Sequence, residues 1–98
     1  MLDQAKKIWE MKKQADIFKK EMEAIKIEVQ ETRGIKIVVN GMMGFQSIEI
    51  DESLLIASNK NRIQMELLKS LNTAVKRSQQ AMQTKMKNMP GFNLPGMG

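Results

Sequence analysis

The side chains able to do chemistry in this 98-residue sequence are predominantly basic: sixteen Lys and Arg stand against eleven Asp and Glu, a net charge of +5. There is no His and no Cys. That removes the commonest general base and metal ligand, every thiolate site and every disulfide. Ser53, Ser70 and Ser78 therefore have no imidazole to activate them, and the glycines match neither a phosphate-binding loop nor a dinucleotide fingerprint. Asp51 and Glu52 are adjacent carboxylates, but neighbours on a turn point apart and no third ligand is near them in sequence. A helix cap accounts for Asp51 more simply. The residue set points away from an enzyme, a metal, a cofactor and a small-molecule substrate.

The basic residues are unevenly spread. Residues 59–98 carry seven of the sixteen against Glu66 alone, whereas residues 27–58 carry two against five acids. Arg62, Lys69, Lys76 and Lys87 recur at spacings of 7, 7 and 11. On a helix of about 3.6 residues per turn these four fall within about 40° of one another. Lys6, Lys13 and Lys20 form a similar row nearer the start, with Lys12, Lys19 and Lys26 beside it, although Glu10, Asp16, Glu21 and Glu23 cancel much of that field. A linear row of cations on a rigid helix suits a phosphate backbone, because each neutralised phosphate releases counterions. Arg62, Arg77, Gln79, Gln80 and Asn72 are the side chains in the same region with the donor geometry to read bases. The plain alternative is that outward lysines merely solvate an amphipathic helix.

The elements that must carry these rows follow from hydrophobic period. Over residues 2–26, Ile8, Met11, Ala15, Phe18, Met22 and Ile25 recur at spacings of 3, 4, 3, 4 and 3, which predicts a long helix with a heptad seam. Ile27 and Val29 then alternate with polar residues, and the β-branched run Ile35-Lys36-Ile37-Val38-Val39 follows Gly34; these predict two strands joined at a turn. Asn40-Gly41-Met42-Met43-Gly44 supplies two glycines for the positive φ values of a hairpin connection. A third strand over residues 45–50, a short helical turn opened by Asp51, and a second long helix over about residues 59–89, capped by Ser58 or Asn59, complete the series. Leu67, Leu71, Ala74, Val75, Ser78, Met82, Met86 and Met89 make that helix's apolar stripe. Residues 90–98 contain two Pro-Gly pairs and read as a flexible tail behind a single domain over residues 1–89.

The expected fold is therefore α+β, ordered α-β-β-β-α, with a small antiparallel sheet and two long helices that outgrow it. Nothing in so short a chain covers both helix seams, so a second copy is the simplest partner. The opening residues lack the apolar core of a signal peptide and no stretch reaches the roughly 18 apolar residues of a membrane span. The expectation is a soluble protein of the cytoplasm, with no membrane partner.

Ile35-Lys36-Ile37-Val38-Val39-Asn40-Gly41, followed by Ile48-Glu49-Ile50-Asp51-Glu52-Ser53-Leu54-Leu55, closely resembles the YbaB/EbfC family, where V-x-V-x-x-N-G precedes V-x-I-D-P-S-L-L. Leu71-Asn72-Thr73-Ala74-Val75-Lys76-Arg77 in the second helix and the Met-Pro-Gly-Phe segment of the tail are similar to the family as well. The resemblance covers nearly the whole chain. It implies a homodimer with paired helices projecting like tweezers, binding double-stranded DNA with little or modest sequence preference, associated with the bacterial nucleoid and without catalysis. Glu52 stands where the family usually has Pro, and the link between the first two strands lacks the usual Gly-rich stretch. Many relatives are acidic, whereas this chain has a pI near 9.6. The expected DNA contacts are Arg62, Lys69, Lys76, Arg77 and Lys87 on the second helix, with Lys6, Lys13 and Lys20 on the first. The competing reading is a protein-interaction module, in which the Met-rich helix ends and Phe92 capture another protein and the lysines maintain solubility.

Overall fold

The computed structural model describes residues 2–88, so Met89, Phe92 and the predicted tail lie outside the described residues. Helix α1 spans Leu2–Ala24 and α2 spans Lys60–Asn88, with strands β1 (Lys26–Thr32), β2 (Ile35–Asn40) and β3 (Phe45–Ile50) between them. Two 3-10 turns, Glu52–Leu54 and Ala57–Asn59, lead from β3 into α2. The order is the expected α-β-β-β-α, and the sheet is antiparallel throughout, in the order β1-β2-β3. The first helix ends two residues earlier than its periodicity predicts. Ile25 is the joint rather than a seam residue, because its N–H bonds the Met22 carbonyl at 3.2 Å and Lys26 already pairs with Asn40 in the sheet.

Both hairpins show how local chemistry sets register. The β1–β2 turn is as tight as the missing Gly-rich stretch implies: Thr32 pairs with Ile35, and Gly34 takes a φ of +91°, a conformation that costs Gly little and other residues more. At the β2–β3 turn the positive φ expected of a glycine falls on Met43 instead, at 61°. Asn40 makes this possible. Its Oδ1 accepts from the Met42 N–H at 2.9 Å and the Gly44 N–H at 2.8 Å, holding the loop from inside. Gly41 serves packing rather than φ: its N–H donates to the Met22 carbonyl at 2.9 Å, and a β-carbon there would lie 2.8 Å from that same oxygen. The end of α1 is thus tied to the β2–β3 turn.

The core lies between one sheet face and α2. Val29 on β1 and Ile37 and Val39 on β2 are fully buried against Ala74, with Ile27, Leu67 and Leu71 packed around them. Ser70, Ala74 and Ser78, four residues apart, are the buried positions of α2. Small side chains at that spacing let the helix axis approach the strands closely. The opposite sheet face carries the buried Val38 among polar residues, where Glu28 bridges Lys26 at 3.7 Å and Lys36 at 3.4 Å. Among the described residues the core cluster is one apolar layer against one helix.

Candidate nucleic-acid interface

Three polar ties on one flank of α2 fix its direction over the sheet. Thr32 donates to Glu66, Thr73 donates to Glu31 at 2.8 Å, and the Arg77 guanidinium donates to the Glu28 carbonyl at 3.3 Å. The chain of α2 therefore runs antiparallel to β1. Further along, the Ser78 hydroxyl donates to the Asn40 carbonyl at 2.9 Å and accepts from the Met43 N–H at 2.9 Å. Lys85 then meets Glu21 of α1 at 2.7 Å. The last turns of α2 and the body of α1 leave the sheet at this same end, beside the β2–β3 turn. Met22 is the buried anchor of α1, while Ile8 and Met11 of its seam are largely exposed.

These ties also orient the basic residues. With Ser70, Ala74 and Ser78 turned to the sheet, Arg62, Lys69, Lys76 and Lys87 occupy the far side of α2, and all four are exposed. They span about 38 Å of helix. None of them makes an ion pair among the described residues, so their charge is directed at solvent. Arg77 does not join them. It lies about a quarter-turn from the row and spends one guanidinium nitrogen on the Glu28 carbonyl. Lys85, which the sequence reading did not select, bridges α2 to Glu21 of α1, a partner that no spacing along α2 signals. Lys6, Lys13 and Lys20 are exposed along α1, and Lys13 rests over the Trp9 ring, 5.4 Å from its centroid.

No group of His, Cys, Asp or Glu able to hold a metal occurs among the described residues, and no helix among them is long and apolar enough to cross a membrane. Among the described residues, Asp51 is the carboxylate held below its ordinary range, by the Ser53 backbone N–H first and the Ser53 hydroxyl second. It is an exposed turn cap rather than a member of a reactive cluster, as its sequence context implies.

The sequence matches the YbaB/EbfC DNA-binding family over residues 1–92. The chain belongs to this family. A nucleoid-associated protein of Persephonella marina is 31% identical, in an alignment covering 82% of this chain and 76% of that relative. An uncharacterized protein of Helicobacter pylori, known by crystal structure, has the same fold: the TM-score is 0.77 at 22% identity, over 89% of this chain and 92% of the other. The family is one of DNA-binding proteins.

Proposed function

We propose that this protein is a homodimeric, nucleoid-associated protein of the bacterial cytoplasm that binds double-stranded DNA with little or modest sequence preference. Its principal contacts are phosphates, held by Arg62, Lys69, Lys76 and Lys87, with Lys6, Lys13 and Lys20 on α1 as secondary ones and Arg77 as a residue shared between the sheet and the DNA. The observation that carries this reading is the row of four exposed, unpaired cations along one side of α2, opposite the side buried on the sheet. Phosphate contacts of this kind set register and affinity without selecting bases. The name of the Persephonella relative supports the nucleoid assignment.

Dimerisation rests on a separate observation. Ile48 pairs with Ile37 and so shares the sheet face that α2 covers on β1 and β2. On β3 that face is open: Ile48 is 49% and Phe45 44% exposed. Leu68, 62% exposed, stands on the flank of α2 away from the β1 ties. A second copy placed against this surface buries an apolar patch that one chain leaves in water.

The test is charge reversal. A variant with Lys69→Glu and Lys76→Glu, whose side chains touch nothing in the core, is expected to remain folded and dimeric while losing most of its affinity for a short duplex in fluorescence anisotropy. Unchanged affinity in a folded dimer moves the DNA surface elsewhere.

A further inference from the structure

Trp9 is in the wrong place for a packing residue. The apolar seam of α1 runs through Ile8, Met11, Ala15, Phe18 and Met22, and Trp9 lies about 140° round the helix from its centre. That puts the indole within about 60° of Lys6, Lys13 and Lys20, inside the basic row. It is 62% exposed, and the Lys13 ammonium is the group set against its ring. Trp9, Lys12, Lys13 and Asp16 bound a shallow hollow on this side of the helix. Asp16 disfavours a phosphate on its own side of the ring; on the other side Glu10 shares a hollow with Lys6 and offsets part of its charge, which leaves Lys13, with Lys6 beyond it, as the approach for an anion.

A planar ring presented among lysines, on a helix that projects from the sheet, has the parts of a single-strand binding platform: cations to hold the backbone and a π-face to hold a base. In an intact duplex every base is already stacked, and reaching one requires unstacking its neighbours. Resting on the DNA-binding reading above, we propose that Trp9 stacks on an unpaired base while Lys6 and Lys13 hold the adjoining phosphates. The protein thereby prefers DNA with locally unpaired bases over fully paired duplex. An anionic lipid surface is the weaker match, because an interfacial helix needs a broad apolar face, and on the Trp9 side of α1 the half-exposed Ile17 stands among lysines while the apolar seam lies on the other side.

The chain has one Trp and no Tyr, so its intrinsic emission reports Trp9 alone. The experiment titrates the full-length protein with a fully paired duplex and with the same duplex carrying a central run of unpaired thymines, following labelled-DNA anisotropy and Trp emission together. The expected result is binding on the order of tenfold tighter to the looped DNA, with quenching of Trp9. Trp9→Ala removes that preference and leaves the affinity for paired duplex, carried by the lysines, within about twofold; Trp9→Phe restores part of the preference. Equal affinity for the two DNAs without quenching overturns the proposal, and so does a preference that survives Trp9→Ala. If the wild type binds neither DNA, the DNA-binding reading has failed and the stacking role fails with it. A blue shift on phosphatidylglycerol vesicles, with no response to either DNA, overturns the proposal in favour of a lipid surface.

Discussion

Asp51 is the turn cap that its sequence context predicts. Its Oδ1 accepts the Ser53 N–H at 3.1 Å and the Ser53 hydroxyl at 3.1 Å, and its own N–H donates to the Gly34 carbonyl at 2.8 Å. It thus fastens the exit of β3 to the β1–β2 turn and starts the 3-10 turn after it. Those bonds need the carboxylate, which is why it is held below the ordinary range, by the backbone bond to Ser53 above all. A carboxylate depressed in the folded state adds stability that is present above its unfolded value, about 3.9, and is lost as pH falls through the lower folded value. Asp51→Ala is therefore expected to lower the melting temperature at neutral pH. The gap to wild type should close in thermal melts below about pH 4; a gap of constant size down to the most acidic melts contradicts the capping role. Residue-level readings succeeded where chemistry is local, as at Asp51, and failed where it depends on distant chain. Met43, not a glycine, takes the positive φ because Asn40 and the Ser78 hydroxyl, the latter 35 residues away, hold its turn.

The buried stripe of α2 shows the same division at the scale of elements. Hydrophobic period located the helix and placed Ala74 and Ser78 on its inner face, since a 3.6-residue repeat is written in the sequence itself. It did not place Ser70 there, because Ser70 lies at the edge of the apolar stripe, about 100° from its centre, whereas Ser78 falls in line with Ala74 and Met82. Ser70 is fully buried and its hydroxyl has no hydrogen-bond partner among the described residues. A buried hydroxyl left unsatisfied costs about 1–3 kcal/mol, and Ala is the better helix former. Ser70→Ala is accordingly expected to raise stability by about 1 kcal/mol in urea denaturation. A destabilisation of similar size would mean that this hydroxyl is satisfied after all. Strand identity was legible from the β-branched run of β2, but the facing of β3 was not. Its sequence alternates without a clean apolar side, and only the pairing of Ile48 with Ile37 and of Ile50 with Ile35 reveals which face it shares with the core.

At the scale of the whole molecule, charge and apolar surface divide the work. The single-helix core leaves Phe45, Ile48 and Leu68 exposed around β3, while Arg62, Lys69, Lys76 and Lys87 point away from the sheet. Ile48→Glu places a charge in the proposed dimer surface and is expected to give a monomer in light scattering with its helix content unchanged; a dimer that persists puts the interface elsewhere. The basic row was readable from spacing alone, whereas its freedom from internal ion pairs was not, because the acids that might have neutralised it are brought close or kept away by the fold. Lys85 illustrates the point: one helix position cannot foretell the partner Glu21 on another helix. The central claim is that this free row meets phosphates, and salt dependence tests it most directly. Anisotropy of a labelled duplex of unrelated sequence, measured across a salt series, is expected to give a log affinity that falls linearly with log salt. Four contacts from one protomer or eight from two correspond to a slope between about −4 and −7. A slope flatter than about −1, or no binding at the lowest salt, would contradict the account.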